Sequence, residues 1–301
     1  MIVVKLMDGL GNQMFQYAFG RYLQEVYHEK IVFETMKLQK GSARKLGIQK
    51  FNIPLSSGKN YCTCKFANPI ENIILQFISK TGRWIAEKIF GISMSGENGY
   101  HAMIKWGYYT TNDSISYYSF RKTKKKIKFV RGYFQSEKYF NEIENVIKAE
   151  LTIMKIDNLS VQRLADQMKK EDSVCVHIRR GDYIGNKRLE VCTEEYYKRA
   201  IELIKTKIRR PVFYIFSNSP FELEWIQNHY AFTKDMYFVN EGKNEHEDLF
   251  LMYHCRNHII SNSTFGWWGS YLSNGNITIA PQKWSNSDEQ QDILRTGWIL
   301  I

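Results

Sequence analysis

From residue 173 to residue 280 the sequence alternates between short apolar runs and stretches with helical spacing, and no other feature restricts the fold as much. The runs 173–178, 211–217, 236–239, 258–261 and 277–280 read as strands. The stretches 194–208, 221–228, 247–254 and 265–272 between them read as helices. Strands separated by helices of this length give a parallel sheet. The chain opens in the same manner: a strand over 2–7, a tight turn at Asp8-Gly9-Leu10-Gly11-Asn12, a helix over 13–26 and a second strand at 31–33.

A chain of 301 residues has room for two such units. The expected architecture is therefore α/β, with an N-terminal Rossmann-like domain over 1–155 and a C-terminal one over 172–301. The last residues are left free to pack back on the first domain. Two parallel sheets facing each other would leave one central cleft. Residues 127–134 read as a strand, and 137–150 and 157–170 as helices. The region 55–130 is less regular. Within it, Asn68-Pro69 marks a helix start, and the apolar residues Ile73, Ile74, Phe77, Ile78 and Trp84 that follow are expected to pack inside the first domain, with contact to a membrane surface as the alternative.

The formal net charge is +11, carried in part by the run 121–128 with its five lysines and one arginine. A basic protein favours polyanions or phosphate-bearing ligands. The run reads first as a solvated loop and second as a surface leaning on anionic lipid. No nucleic-acid motif accompanies it, so nucleic acid ranks last among partners. The five cysteines are scattered without zinc spacing. No metal is expected, and the compartment reads as reducing and cytoplasmic. The N-terminus reads as a strand and not a signal peptide. No apolar stretch reaches the length of about 18 residues that marks a spanning helix.

Three stretches carry chemistry. Gly9-Leu10-Gly11 follows a strand and partly matches a dinucleotide fingerprint, and Glu34 stands where an acid would hold a ribose. Met14 occupies the place of the third glycine, and a turn needing glycine's free φ explains the loop equally well. If the loop binds, its amides and Asn12 would reach ligand oxygens. The second stretch is His177-Ile178-Arg179-Arg180-Gly181-Asp182, at the end of a strand. There His177 and Arg179 share one face and Arg180 points the other way. Arginine suits a pyrophosphate because its planar fork binds two oxygens at once. Asp182 would orient an arginine or act as acid or base. In the third, Ser263 or Thr264 caps a helix whose amides suit a phosphate, and Phe265 either stacks on a base or fills the core. Asp248, at another helix start, serves the helix dipole or contacts guanine.

Taken together, the segments 8–17, 132–136, 177–182, 216–218 and 260–268 resemble the α-1,2-fucosyltransferases of glycosyltransferase family 11. The resemblance covers both ends and the middle of the chain. It implies a GT-B-type fold and an inverting, metal-independent transfer of L-fucose from GDP-β-L-fucose to the 2-hydroxyl of a terminal galactoside. It implies that His177, Arg179, Asn218, Asn262, Ser263, Thr264, Phe265 and Asp248 serve the donor. Gly11, Asn12 and Gln13 would border donor and acceptor. Arg179, Asp182 and His177 would carry catalysis, with Asp182 the first candidate for a base. The acceptor implied is a galactose-terminated glycan, lipid-linked in O-antigen assembly, with peripheral contact at the inner membrane face. Two departures stand out: Gly266 where the family would place serine, read as neutral, and Asp8 where glycine is more usual, which would alter the reach of the loop. Two competing functions remain: an NAD-dependent oxidoreductase using Gly9, Gly11 and Glu34, and a non-enzymatic basic module that binds glycan or membrane.

Overall fold

The computed structural model describes residues 1–38, 44–56, 62–273 and 275–301. Residues 57–61 of the irregular stretch lie outside them. The chain divides into two compact units, Met1–Thr152 and Ile153–Ile301. The division falls just before the helix over 159–170, which packs in the second unit.

The first unit contains, in chain order, β1 (Ile2–Lys5), α1 (Leu10–Tyr27), β2 (Ile31–Glu34), β3 (Cys64–Phe66), α2 (Pro69–Lys88), α3 (Gly96–Lys105), β4 (Tyr108–Thr110), β5 (Lys128–Arg131) and α4 (Glu144–Glu150). Its sheet has the order β3-β2-β1-β5-β4, and every pairing is parallel. Both β1 and β2 are buried throughout, which is why each opens on three apolar residues in a row. The expected helix over 137–150 is shorter: two 3-10 turns at Glu137–Tyr139 and Asn141–Ile143 precede α4. Short strands β3 and β4 and helix α3 gave no periodic signal in the sequence.

Asn68 caps α2 as expected, in a full capping box with Glu71. The inward packing expected of this helix is not found. Asn72, Leu75 and Ala86 face the core, while Ile70, Ile73, Ile74, Phe77 and Trp84 are exposed. Gly82 explains which face goes in: a Cβ there would meet the Tyr108 hydroxyl at 2.0 Å, so only the small side of the helix fits against β4.

The second unit contains α5 (Leu159–Lys170), β6 (Ser173–His177), α6 (Glu194–Lys207), β7 (Val212–Phe216), α7 (Pro220–His229), β8 (Tyr237–Phe238), α8 (Glu245–His254), β9 (Asn257–Ile260), α9 (Thr264–Leu272), β10 (Ile277–Ala280) and β11 (Ile299–Leu300). Its sheet order is β11-β10-β9-β6-β7-β8, parallel throughout. The last residues form β11, which pairs with β10 at the edge of this sheet. The chain winds outward from β6 through β7 and β8, then restarts on the other side at β9. The reversal lies between β6 and β9, and ligands of such sheets bind outside the carboxyl ends of the strands at this point. Cores cover both faces. One is built on Val174, Val176 and Ile178, the other on Cys175, Tyr214 and Met252.

Candidate active site

The carboxyl ends of β6 and β9 stand side by side, with His177 in register with Ile260. The segments leaving them carry the 177–182 and 260–268 motifs. His177 is buried, and the Ser261 hydroxyl lies 3.0 Å from its Nδ1. Burial, helped by the nearby Arg179 charge, pushes the imidazole down to about 3, so the ring is neutral at physiological pH. A neutral, weakly basic imidazole is a hydrogen-bonding group and a poor proton acceptor.

Arg179 follows two residues on. Its Nη2 donates to Asp182 Oδ1 at 2.6 Å, and its guanidinium lies 5.1 Å from the Tyr183 ring centroid. Its Nε is buried and has no acceptor among the described residues. A buried donor of a charged group without a partner is costly, so this N–H is aimed at something absent from the polypeptide. Asp182 is exposed and its carboxylate is committed to Arg179. Arg180 turns away as expected. It donates to Glu222 at 2.9 Å and stacks on Trp225 at 3.2 Å, a tie to α7. Gly181 permits this divergence: its φ is +61°, and a Cβ would lie 2.8 Å from the Asn218 amide nitrogen. Asn218, exposed at the end of β7, accepts from the Arg180 amide at 3.2 Å and so holds the turn.

Ser263 occupies the N-cap position of α9, but its side chain makes no capping bond. Neither its hydroxyl nor that of Thr264 is hydrogen-bonded among the described residues. The helix start therefore presents unpaired amides and two uncommitted hydroxyls beside Arg179's strand. Asn262 is placed differently from expectation. It is buried, and its amide donates to the carbonyls of Leu189 and Trp284 at 2.8 and 2.9 Å. It fastens two loops beneath the site and has no amide hydrogen left to offer. Phe265 is half-buried on the core, 6.1 Å from the His177 ring. Gly266 is not a neutral departure here: a Cβ on it would stand 2.7 Å from His177 Nδ1. Asp248 begins α8, two strands away. Burial first, then Glu247 and Glu245, push its carboxyl up to about 7.

In the first unit, the positive φ of the opening loop falls on Asp8, at +63°, and not on a glycine. Its carboxylate accepts from the Tyr133 hydroxyl at 2.6 Å. Asn12 Oδ1 accepts from Gln135 at 2.8 Å. The segment 132–136 is thus the strut of the first loop. Gln13 is fully buried, donating to the Asp8 and Lys45 carbonyls and accepting from the Gly47 amide. It is a structural tie, and no ligand can reach it. Gly11 is buried too. Gly9 has an ordinary φ of −69°, and a Cβ on it would meet nothing within 4 Å. Neither turn geometry nor packing among the described residues calls for glycine there. Glu34 is buried against Lys5 at 3.0 Å, which removes it from any ribose and with it the oxidoreductase reading. Sequence reasoning missed Tyr183 and Ser261, which shape the Arg179–His177 pair, although both sit inside or beside the motifs.

Two Rossmann-like units with parallel sheets make up a GT-B-type fold. The profile of Glycosyl transferase family 11 matches residues 1–301, and the chain belongs to this family. It is 31% identical to the alpha-1,2-colitosyltransferase of Escherichia coli, over 100% of this chain and 98% of that protein. It is 26% identical to the Escherichia coli O-antigen biosynthesis glycosyltransferase WbnK, over 98% and 99%. A third relative, the galactoside alpha-(1,2)-fucosyltransferase 1 of Lagothrix lagotricha, is 28% identical over 48% of this chain and 42% of its own. Among solved structures, the NodZ alpha-1,6-fucosyltransferase soaked with GDP-fucose superposes with a TM-score of 0.50 at 12% identity, covering 90% of this chain and 92% of that one. That likeness concerns the fold. No helix among the described residues is long and apolar enough to cross a membrane.

Proposed function

We propose that this glycosyltransferase moves L-fucose from GDP-β-L-fucose, with inversion, to the 2-hydroxyl of a terminal galactoside. The observation that carries the reading is the buried, unpartnered Nε of Arg179 beside the uncommitted hydroxyls and amides at the start of α9. A diphosphate is the ligand that satisfies all of them. The acceptor oxygen attacks C1 of the sugar and loses its proton to water. The bond from C1 to the diphosphate oxygen breaks, and GDP leaves with the electron pair. Arg179 and the α9 amides neutralise that leaving charge, so the step needs no metal. His177, buried and neutral, is a positioning and hydrogen-bonding group. Asp182 holds Arg179 in its orientation. Asp248 would accept from the edge of guanine when ionised.

A second donor has a specific observation behind it, because one of the full-length likenesses is to a colitosyltransferase. Colitose is L-fucose without its 3-hydroxyl, so GDP-colitose would satisfy the same diphosphate contacts. The likeness to an O-antigen enzyme supports a lipid-linked glycan acceptor at the inner membrane face. The test is to incubate the protein with each donor and a panel of galactosides, one of them 2-deoxygalactose-terminated, and to read products by mass. Transfer from one donor to every galactoside except the 2-deoxy member is expected. Transfer to that member, or from neither donor, would overturn the assignment.

A further inference from the structure

Helix α2 is oriented against the usual rule for a surface helix. Its core side is narrow and small, with Asn72, Leu75 and Ala86 buried and Gly82 against Tyr108. Its outward face carries Ile70, 70% exposed, with Ile73, Ile74, Phe77 at 69% and Trp84 at 56%. These positions recur at the three- and four-residue spacing that places them in one strip. The strip continues past the helix end. Phe90 and Trp106 are both exposed, with ring centroids 4.8 Å apart, and the Lys125 ammonium lies 5.9 Å over the Trp106 ring. Apolar area of this extent on a surface marks an interaction site.

Charge says what covers it. The only acids on α2 are already paired, Glu71 with Lys65 and Glu87 with Arg83. Lys80 and Lys88 on the helix and Lys122, Lys124, Lys125 and Lys126 in the loop are exposed. No carboxylate pairs with any of these six among the described residues. Lys128, the last of the basic run, is different: it is buried and paired with Glu29. A second copy of the chain would bring the same lysines against each other, so self-association is disfavoured. We propose that α2, the Phe90–Trp106 pair and the lysine loop form one surface that lies in the plane of a bilayer bearing anionic headgroups. The apolar strip enters the headgroup boundary and the lysines meet the phosphates. The purpose of such a surface rests on the lipid-linked acceptor proposed above. Its existence does not.

The experiment is co-sedimentation of the full chain with vesicles of phosphatidylcholine alone or with roughly a third phosphatidylglycerol, at low and high salt. Binding to the anionic vesicles is expected, weakening as salt rises. Lys124→Glu with Lys125→Glu should weaken it about fivefold or more per residue. Phe77→Asp should weaken it at least tenfold without lowering the melting temperature, since Phe77 is 69% exposed. Transfer by Phe77→Asp to a soluble galactoside should stay at the wild-type rate. No binding to anionic vesicles, equal binding to neutral ones, or no effect of Phe77→Asp would overturn the proposal. So would a dimer of the wild-type chain that Phe77→Asp turns into monomer. The vesicles contain no sugar, so a wrong donor or acceptor would leave these results unchanged.

Discussion

Gly266 approaches His177 so closely that its missing Cβ would lie 2.7 Å from the imidazole Nδ1, the same atom that Ser261 meets at 3.0 Å. The contact joins the first turn of α9 to the end of β6. Gly266→Ser should therefore displace the ring and loosen both walls of the proposed diphosphate site. A destabilisation of about 1–3 kcal/mol is expected, as for other overpacked positions, with a larger relative fall in transfer. Thermal unfolding and initial rates measure the two. An unchanged melting point and rate would show that the ring yields freely.

Arg179 should be the residue on which donor affinity depends most. Charge-assisted bonds to phosphate contribute about 1.5–3 kcal/mol each, so Arg179→Ala should lower GDP affinity about tenfold to a hundredfold or more and abolish transfer. Arg179→Lys should recover little, because a point charge cannot reproduce the fork. Asp182→Asn separates orientation from base catalysis. An orienting role weakens GDP binding, seen by calorimetry. A base leaves binding intact and lowers kcat alone, and that result would return Asp182 to the chemistry.

Asp248 should make both stability and binding depend on pH. Its carboxyl is raised to about 7 from an ordinary value of 3.8. The folded state therefore holds the proton more tightly than the unfolded chain. The stability this gives is full below about pH 4 and is lost as pH rises through 7. Asp248→Asn should then stabilise the protein at pH 8, on the order of 1 kcal/mol, with no gain at pH 4. If the carboxylate holds guanine, the same variant binds GDP more weakly at pH 8. Denaturation and calorimetry at the two pH values would separate these effects.

The opening loop should be sensitive to its strut. Tyr133→Phe removes the bond to Asp8, and a loss of about 1 kcal/mol is expected. Asp8→Gly removes the same bond but relieves a positive φ, so it should be close to neutral in stability. Asp8→Ala removes the bond and keeps the strain, and should cost about 2 kcal/mol. Chemical denaturation ranks the three. An alanine variant as stable as the glycine one would contradict the conformational argument.

Much of this architecture could be read from residue order. Parallel strands buried on both faces are apolar throughout, so β1, β6, β7 and β9 stand out, and Arg179 at a strand end announces an anion. What could not be read depends on neighbours distant in sequence. Asn262 and Gln13 are polar residues in motifs, and nothing local shows that loop carbonyls consume their amides. In α2, periodicity reveals an apolar stripe without saying which way it points. That choice is made by Gly82 against Tyr108, a fit between side chains 26 residues apart in the numbering. Gly266 looked tolerant because its constraint is the His177 ring on another strand.

In the sheet of the first unit, β1 pairs on one side with β2, Ile2 facing Ile31, and on the other with β5, Ile2 facing Lys128. During synthesis the first pairing becomes available early. The second must wait until nearly the whole unit has left the ribosome. Throughout that interval one edge of a strand that is buried in the finished fold has no neighbour, which is the condition under which nascent chains recruit chaperones or one another. The rate at which residues 35–127 are translated thus becomes a determinant of how much active enzyme a cell obtains, independently of how stable the finished protein is.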